Sequence, residues 1–187
     1  MAARWLLLGD SHLEAIAPRL SALLRTQGID TMAIVRRGHG ALSFIGDPEV
    51  AAAVQQFRPT ATILFLGGND GRSDGEVQRN RQLLSEVPNP VWVGPWFAEE
   101  PAVQARHLRA DQAIRTATVR AGVPYVDGQH LSPRGRLQSD GVHYTQGGYA
   151  EIARGLVAPL VMLTKKTPWW ALAIGAGLGI GLVWWLG

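Results

Sequence analysis

Trp5-Leu6-Leu7-Leu8-Gly9-Asp10-Ser11-His12 is the stretch that decides the fold. Four apolar residues stop abruptly at Gly9-Asp10, which predicts a buried strand running into a tight turn. The pattern returns along the chain. Thr31–Val35 is a second apolar run and leads to the turn Gly38-His39-Gly40. Thr60–Leu66 is a third, with Ile63-Leu64-Phe65-Leu66 unbroken, and it ends in Gly67-Gly68-Asn69-Asp70. Continuous apolar runs of this kind belong to strands covered on both faces. Pro90–Gly94 and Pro124–Val126 supply a fourth and a fifth strand.

Helical patterns separate these runs. Pro18 suits a helix start, with Leu20, Leu23 and Leu24 as its apolar face up to Gly28. Asp47-Pro48 opens a helix carrying Val50, Val54 and Phe57, and another is expected around Gly75–Ser85. Pro101 opens a long helix closed by Gly122 and Pro124. Its positions Val103, His107, Ala110, Ile114, Ala117 and Ala121 step by four and three along one face. A last globular helix begins after Thr145 and carries Tyr149, Ile152, Ala153, Leu156 and Val157. Strands alternating with helices predict an α/β fold, with a mostly parallel five-stranded sheet between two helical layers. Ligands of such sheets sit at the carboxyl ends of the strands, where Ser11, Gly40 and Asn69 all fall.

With 187 residues, 18 basic and 15 acidic, the chain carries a net charge of only +3. The pI of 9.8 does not signal a polyanion site, because the arginines are scattered. Arg106, Arg109, Arg115 and Arg120 are expected on a solvated helix face, and no nucleic-acid motif is present. Absence of cysteine excludes disulfides, zinc–thiolate sites and thiol catalysis. No histidine pair has metal-ligand spacing, so neither a metal nor a cofactor is expected. The four apolar residues after Arg4 are too few for a secretory signal, whose core needs about 7–15.

The other end has a different composition. Residues 168–187 carry no charge, begin Pro168-Trp169-Trp170 and end Trp184-Trp185-Leu186-Gly187. A helix of about 20 residues spans the hydrocarbon core of a bilayer, and paired tryptophans suit its two interfaces. The expected organisation is therefore a domain over 1–163, a short basic linker over 164–167 containing Lys165 and Lys166, and a transmembrane anchor over 168–187. The two lysines favour a cytoplasmic domain. Gly175, Gly177, Gly179 and Gly181 form overlapping G-x-x-x-G spacings, compatible with a tail-mediated homo-oligomer or with ordinary small-residue content.

The chemistry concentrates in two places. A serine hydroxyl is a weak nucleophile unless a histidine takes its proton and an acid orients that histidine. Ser11 follows the first strand, and Asp140-Gly141-Val142-His143 brings an acid and a base together three residues apart. The blocks Gly9-Asp10-Ser11, Gly40, Gly67-Gly68-Asn69-Asp70 and Asp140-Gly141-Val142-His143, in this order, resemble the SGNH (GDSL-type) hydrolase family over residues 4–160. His12 departs from the family pattern, which has Leu there, and is expected to bear on substrate shape.

The resemblance implies a flavodoxin-like fold and a serine esterase with Ser11, Asp140 and His143 as catalytic residues. It implies an oxyanion hole made by the backbone N–H groups of Ser11 and Gly40 and the Asn69 amide, with Gly38 as a competitor of Gly40. Asp10 and Asp70 are expected to position Ser11 and Asn69. His39 and Trp96 are candidate substrate contacts beside His12, Trp96 being equally suited to the core, and His107 is expected to be a core residue. The implied partners are an ester substrate, either a lipid acyl ester or an O-acetylated envelope glycan, and the membrane. A phage lysis setting also fits. The rival reading is a catalytically silent, membrane-held binding or structural module.

Overall fold

Leu6, Leu7 and Leu8 of β1 (Ala3–Gly9) have no exposed surface on either side of the strand. The structure, a computed structural model, describes residues 2–71 and 75–164. β1 lies inside a wholly parallel sheet, flanked by β2 (Ile29–Val35) and β3 (Ala61–Phe65), and β4 (Pro90–Val93) and β5 (Tyr125–Val126) complete the order β2-β1-β3-β4-β5. Alternation along β1 divides the core. Trp5 and Leu7 pack with α1 (Ser11–Arg25) and α5 (Gln146–Thr164). Leu6 and Leu8 face the other layer, built from α2 (Pro48–Phe57), α3 (Glu76–Glu86) and α4 (Pro101–Ala121). Each fully buried aliphatic side chain contributes about 1.5–3 kcal/mol, so both faces of β1 hold the layers together.

The three-layer architecture is the one expected, but several local expectations are corrected. α1 begins at Ser11, not at Pro18, which lies inside the helix. Asp10 sets the start: its carboxylate accepts the His12 N–H at 2.9 Å, and its carbonyl accepts the Glu14 N–H at 3.1 Å. Proline without an N–H removes one intrahelical bond, a cost that the buried face of α1 outweighs. β2 starts earlier, at Ile29, and β5 keeps only two residues. The buried face of α4 is as expected through His107, Ala110, Ile114 and Ala117, whereas Ala121 is exposed. Its arginines are not merely solvated. Arg106 and Arg109 donate to the carbonyls of Gly68 and Gly71, and Arg115 bridges Asp111 and Asp127.

The order places the carboxyl ends of β1 and β3 side by side, at the point where the chain reverses its direction of winding. Ser11 and Asn69 therefore meet across neighbouring strands. The stretch 165–187, with the linker lysines and the expected membrane span, lies outside the described residues. Among the described residues, no helix is long and apolar enough to cross a membrane.

Candidate active site

Ser11 is the first residue of α1, so its backbone N–H is among those a helix leaves without an intrahelical partner. Its hydroxyl lies 3.1 Å from His143 Nε2, a contact between residues 132 apart in sequence. His143 sits on a turn between Leu137 and Tyr144, which form an antiparallel bridge. The His143 carbonyl accepts the Gln138 N–H at 2.7 Å, and Gly141, at φ +65°, makes the left-handed step.

Asp140 organises this turn. One carboxylate oxygen accepts the N–H groups of Val142 and His143, both at 2.9 Å, and the other lies 2.7 Å from His143 Nδ1. Partial burial acts to raise the Asp140 pKa, but these backbone donors and the imidazole outweigh it and hold the carboxyl down at about 2. An ionised carboxylate only accepts, so Nδ1 carries the imidazole hydrogen and Nε2 presents its lone pair to the Ser11 hydroxyl.

Asn69 approaches from the loop after β3. Its amide nitrogen donates to Asp10 Oδ2 at 3.2 Å and to the His39 carbonyl at 3.3 Å. Asp10 thus holds both the start of α1 and the Asn69 amide. Burial, reinforced by the nearby Asp70 charge, pushes the Asp10 carboxyl up to about 6, against the opposing hydrogen bond from His12. Asp70 anchors the neighbouring loop, its two oxygens accepting the Ala41 N–H at 3.1 and 3.2 Å. A Cβ on Gly40 would come within 2.2 Å of that carboxylate, which is why this position needs glycine.

The Gly40 N–H is less simply placed. The His39–Gly40 peptide is trans, so its carbonyl and its N–H point to opposite sides. With the carbonyl turned to Asn69, the Gly40 N–H faces away from it. Gly38, at φ +72°, lines the cleft above Ser11.

The candidate substrate contacts are redistributed. Trp96 is 3% exposed, packs in the core and is not among the residues lining the cleft at Ser11. The His39 ring is exposed and lies 2.8 Å from Ser43 Oγ, so that residue meets the site through its carbonyl. His12 is 3% exposed and packs against His143, reaching the cleft only as its inner wall.

His107 is buried as expected, yet it also braces the site. Its Nδ1 lies 2.8 Å from the Trp96 carbonyl and its Nε2 3.1 Å from the Gly68 carbonyl, while Arg106 donates to Gly68 at 3.2 Å. Burial pushes the His107 pKa down, so the neutral ring carries one hydrogen and donates to only one of these two carbonyls, while the packed ring fills the space between the loops after β3 and β4. The helical stepping of α4 placed His107 inward, but nothing local announced its loop partners or those of Arg106. Tyr149, read only as part of a helix face, reaches His12 with its hydroxyl. The cleft is open, about 680 Å³, and mixed in character, with Glu14, Arg37, Arg106 and Gln138 on its walls beside Ala15, Val142 and the ring of Tyr149. Among the described residues, no group of three or more acidic or histidine side chains is placed to hold a metal ion.

No protein-family model and no curated protein sequence matches the chain. Solved structures do. An α/β hydrolase enzyme from the metagenome of Lake Arreo, Spain, superposes with a TM-score of 0.70 at 17% identity, over 87% of this chain and 98% of that one. A carbohydrate acetylesterase from Sinorhizobium meliloti gives 0.64 at 14%, over 86% and 99%. An acetylxylan esterase from Geobacillus stearothermophilus gives 0.66 at 14%, over 88% and 96%, in a catalytic mutant altered at an Asp. A second catalytic mutant of that esterase is altered at a His three residues further on. At such identities the likeness is one of fold.

Proposed function

We propose that the chain is a serine ester hydrolase that removes short acyl groups, acetyl foremost, from a polar alcohol such as a glycan. The observation that carries this reading is the continuous line from Ser11 Oγ through His143 to Asp140, at 3.1 and 2.7 Å. The same Asp-x-x-His spacing separates the two mutated catalytic positions of the acetylxylan esterase.

In this reaction Ser11 Oγ forms a bond to the ester carbonyl carbon while His143 Nε2 takes the hydroxyl proton. The negative charge moves to the carbonyl oxygen, facing the Ser11 N–H. Turning over the His39–Gly40 peptide, a rotation that brings glycine to a positive φ at little cost, would release one Asn69 hydrogen from the His39 carbonyl and add the Gly40 N–H, so that Asn69 and Gly40 become the proposed second and third donors. Collapse breaks the bond to the alcohol oxygen, which receives the proton from His143. Water, deprotonated by the same imidazole, then releases the acid from Ser11.

Glu14, Arg37 and Gln138 on the cleft walls offer partners to a hydroxylated alcohol, and Ala15 and Val142 beside them offer apolar surface to the acyl group. A lipid ester is the alternative substrate. The proposed location is a membrane, through residues 168–187, with the domain on its cytoplasmic face. The test is hydrolysis of acetyl, butyryl and decanoyl esters and of acetylated xylan, with fluorophosphonate labelling of wild type and Ser11→Ala. Labelling and turnover that vanish in Ser11→Ala, with acetyl esters preferred at least tenfold, are expected. A wild type that neither labels nor turns over any ester leaves the silent binding module instead.

A further inference from the structure

The two hydrogen bonds of His143 leave one freedom unaccounted for. Nδ1 and Nε2 lie on opposite edges of the ring, so bonds to Asp140 and Ser11 fix an axis through it. They hold only its edges, so the ring swings about its Cα–Cβ and Cβ–Cγ bonds whenever either contact loosens, and His143 stands on a half-exposed turn. Something must hold its plane.

His12 provides a flat surface in the right place. Its ring lies 5.1 Å from that of His143, centroid to centroid, with the planes 26° apart. The His12 ring is itself held. Its Nδ1 lies 3.1 Å from the Tyr149 hydroxyl, and the Tyr149 and Tyr144 rings meet it at steep angles, at 6.0 and 6.2 Å. Tyr144 is in turn fixed by a bond of 2.7 Å from its hydroxyl to the Phe97 carbonyl.

We propose that His12 is a positioning residue for His143, stacking on its ring to hold the plane that joins Ser11 to Asp140. The inference rests on the esterase reading above. A leucine at this position would fill the volume but offer no flat π face. A second imidazole beside a catalytic one carries a hazard, since protonating both would set like charges one ring apart. Burial removes it by pushing the His12 pKa down to about 3, with the neighbouring His143 and His107 acting in the same direction. His12 therefore stays neutral while His143 gains and loses its proton.

The experiment compares full-length wild type, His12→Leu, His12→Phe and Tyr149→Phe in hydrolysis of p-nitrophenyl acetate across pH. His12→Leu should lower kcat about tenfold with KM within about twofold. His12→Phe restores a flat face and should recover kcat to within about threefold. A His12→Leu kcat matching wild type overturns the proposal, and so does a His12→Phe no better than His12→Leu. Should His12→Leu fail to fold, Tyr149→Phe decides. It keeps every ring and frees only the His12 edge, so kcat should fall about threefold at unchanged KM, and an unchanged kcat overturns the proposal. Wild type inactive on every ester refutes the esterase reading itself, whereas active wild type with indifferent His12 variants refutes this inference alone.

Discussion

Asp10→Asn should make the protein more stable and the enzyme slower, and the stability gain should grow with pH. Asp10 is 2% exposed, and its carboxyl is raised from 3.8 to about 6, chiefly by burial. For an acid whose pKa is higher in the folded state, the folded form binds the extra proton between the two values. Stability is therefore greatest below about 3.8 and falls as pH rises through about 6. A rise of about two units amounts to on the order of 3 kcal/mol by which ionised Asp10 opposes folding at neutral pH. Asparagine does not ionise. Urea unfolding of both full-length proteins, in mild detergent at pH 4 and pH 8, gives two differences in stability. Their change between the two pH values should favour the variant by roughly 2–3 kcal/mol. The subtraction removes any pH-independent loss from altered hydrogen bonds. Activity should move the other way. Asp10 accepts from both His12 N–H and Asn69, and an amide has only one acceptor oxygen for the two. With an NH2 group turned to the Asn69 amide, kcat should fall about tenfold. Stability curves that stay parallel from pH 4 to pH 8 would refute the argument, because the carboxyl would then be ionised throughout.

Asn69→Ala should cost about 10²–10³ in kcat with little change in KM, since the amide acts on charge that develops in the transition state; steady-state kinetics on acetyl esters checks this, and a change confined to KM would make Asn69 a ground-state contact. Asp140→Asn should lower kcat by about 10³–10⁴, because an amide no longer dictates which imidazole nitrogen carries the hydrogen. The Asp140 carboxyl, held at about 2, stabilises the fold above the usual carboxylate range, and that contribution is lost as pH falls through about 2. Acid unfolding of Asp140→Asn should accordingly be flatter between pH 4 and 2 than that of wild type. Truncation after Thr164 should give an active enzyme free in solution, and the full chain should sediment with membranes and resist carbonate. A freely soluble full-length chain would assign residues 168–187 to another role.

The layers of this fold were legible in the sequence because the signals that specify them are local. Leu6-Leu7-Leu8 and Ile63-Leu64-Phe65 announce strands buried on both faces, and Asp47-Pro48, Pro101 and Gly122 mark helix ends within a turn of where they act. Asp140 and His143 could be paired for the same reason, since three residues of chain hold them together. Pro18 misled because the local preference against interior proline was outweighed by the buried face of α1 and by the Asp10 cap, neither of which a proline rule registers.

What the tertiary structure alone decided are contacts between segments that the sheet order brings together. Ser11 and His143 are 132 residues apart, Asn69 and Asp10 59, and His12 and Tyr149 137. The direction a side chain takes at such a meeting depends on packing across strands rather than on neighbours along the chain. That is how Trp96 came to lie in the core, how His39 came to offer its carbonyl rather than its ring, and how His12 came to lie behind His143. The sequence determined which residues could do chemistry and where along the strands they stand; the register of β1 against β3, and of α1 against α5, decided which of them touch.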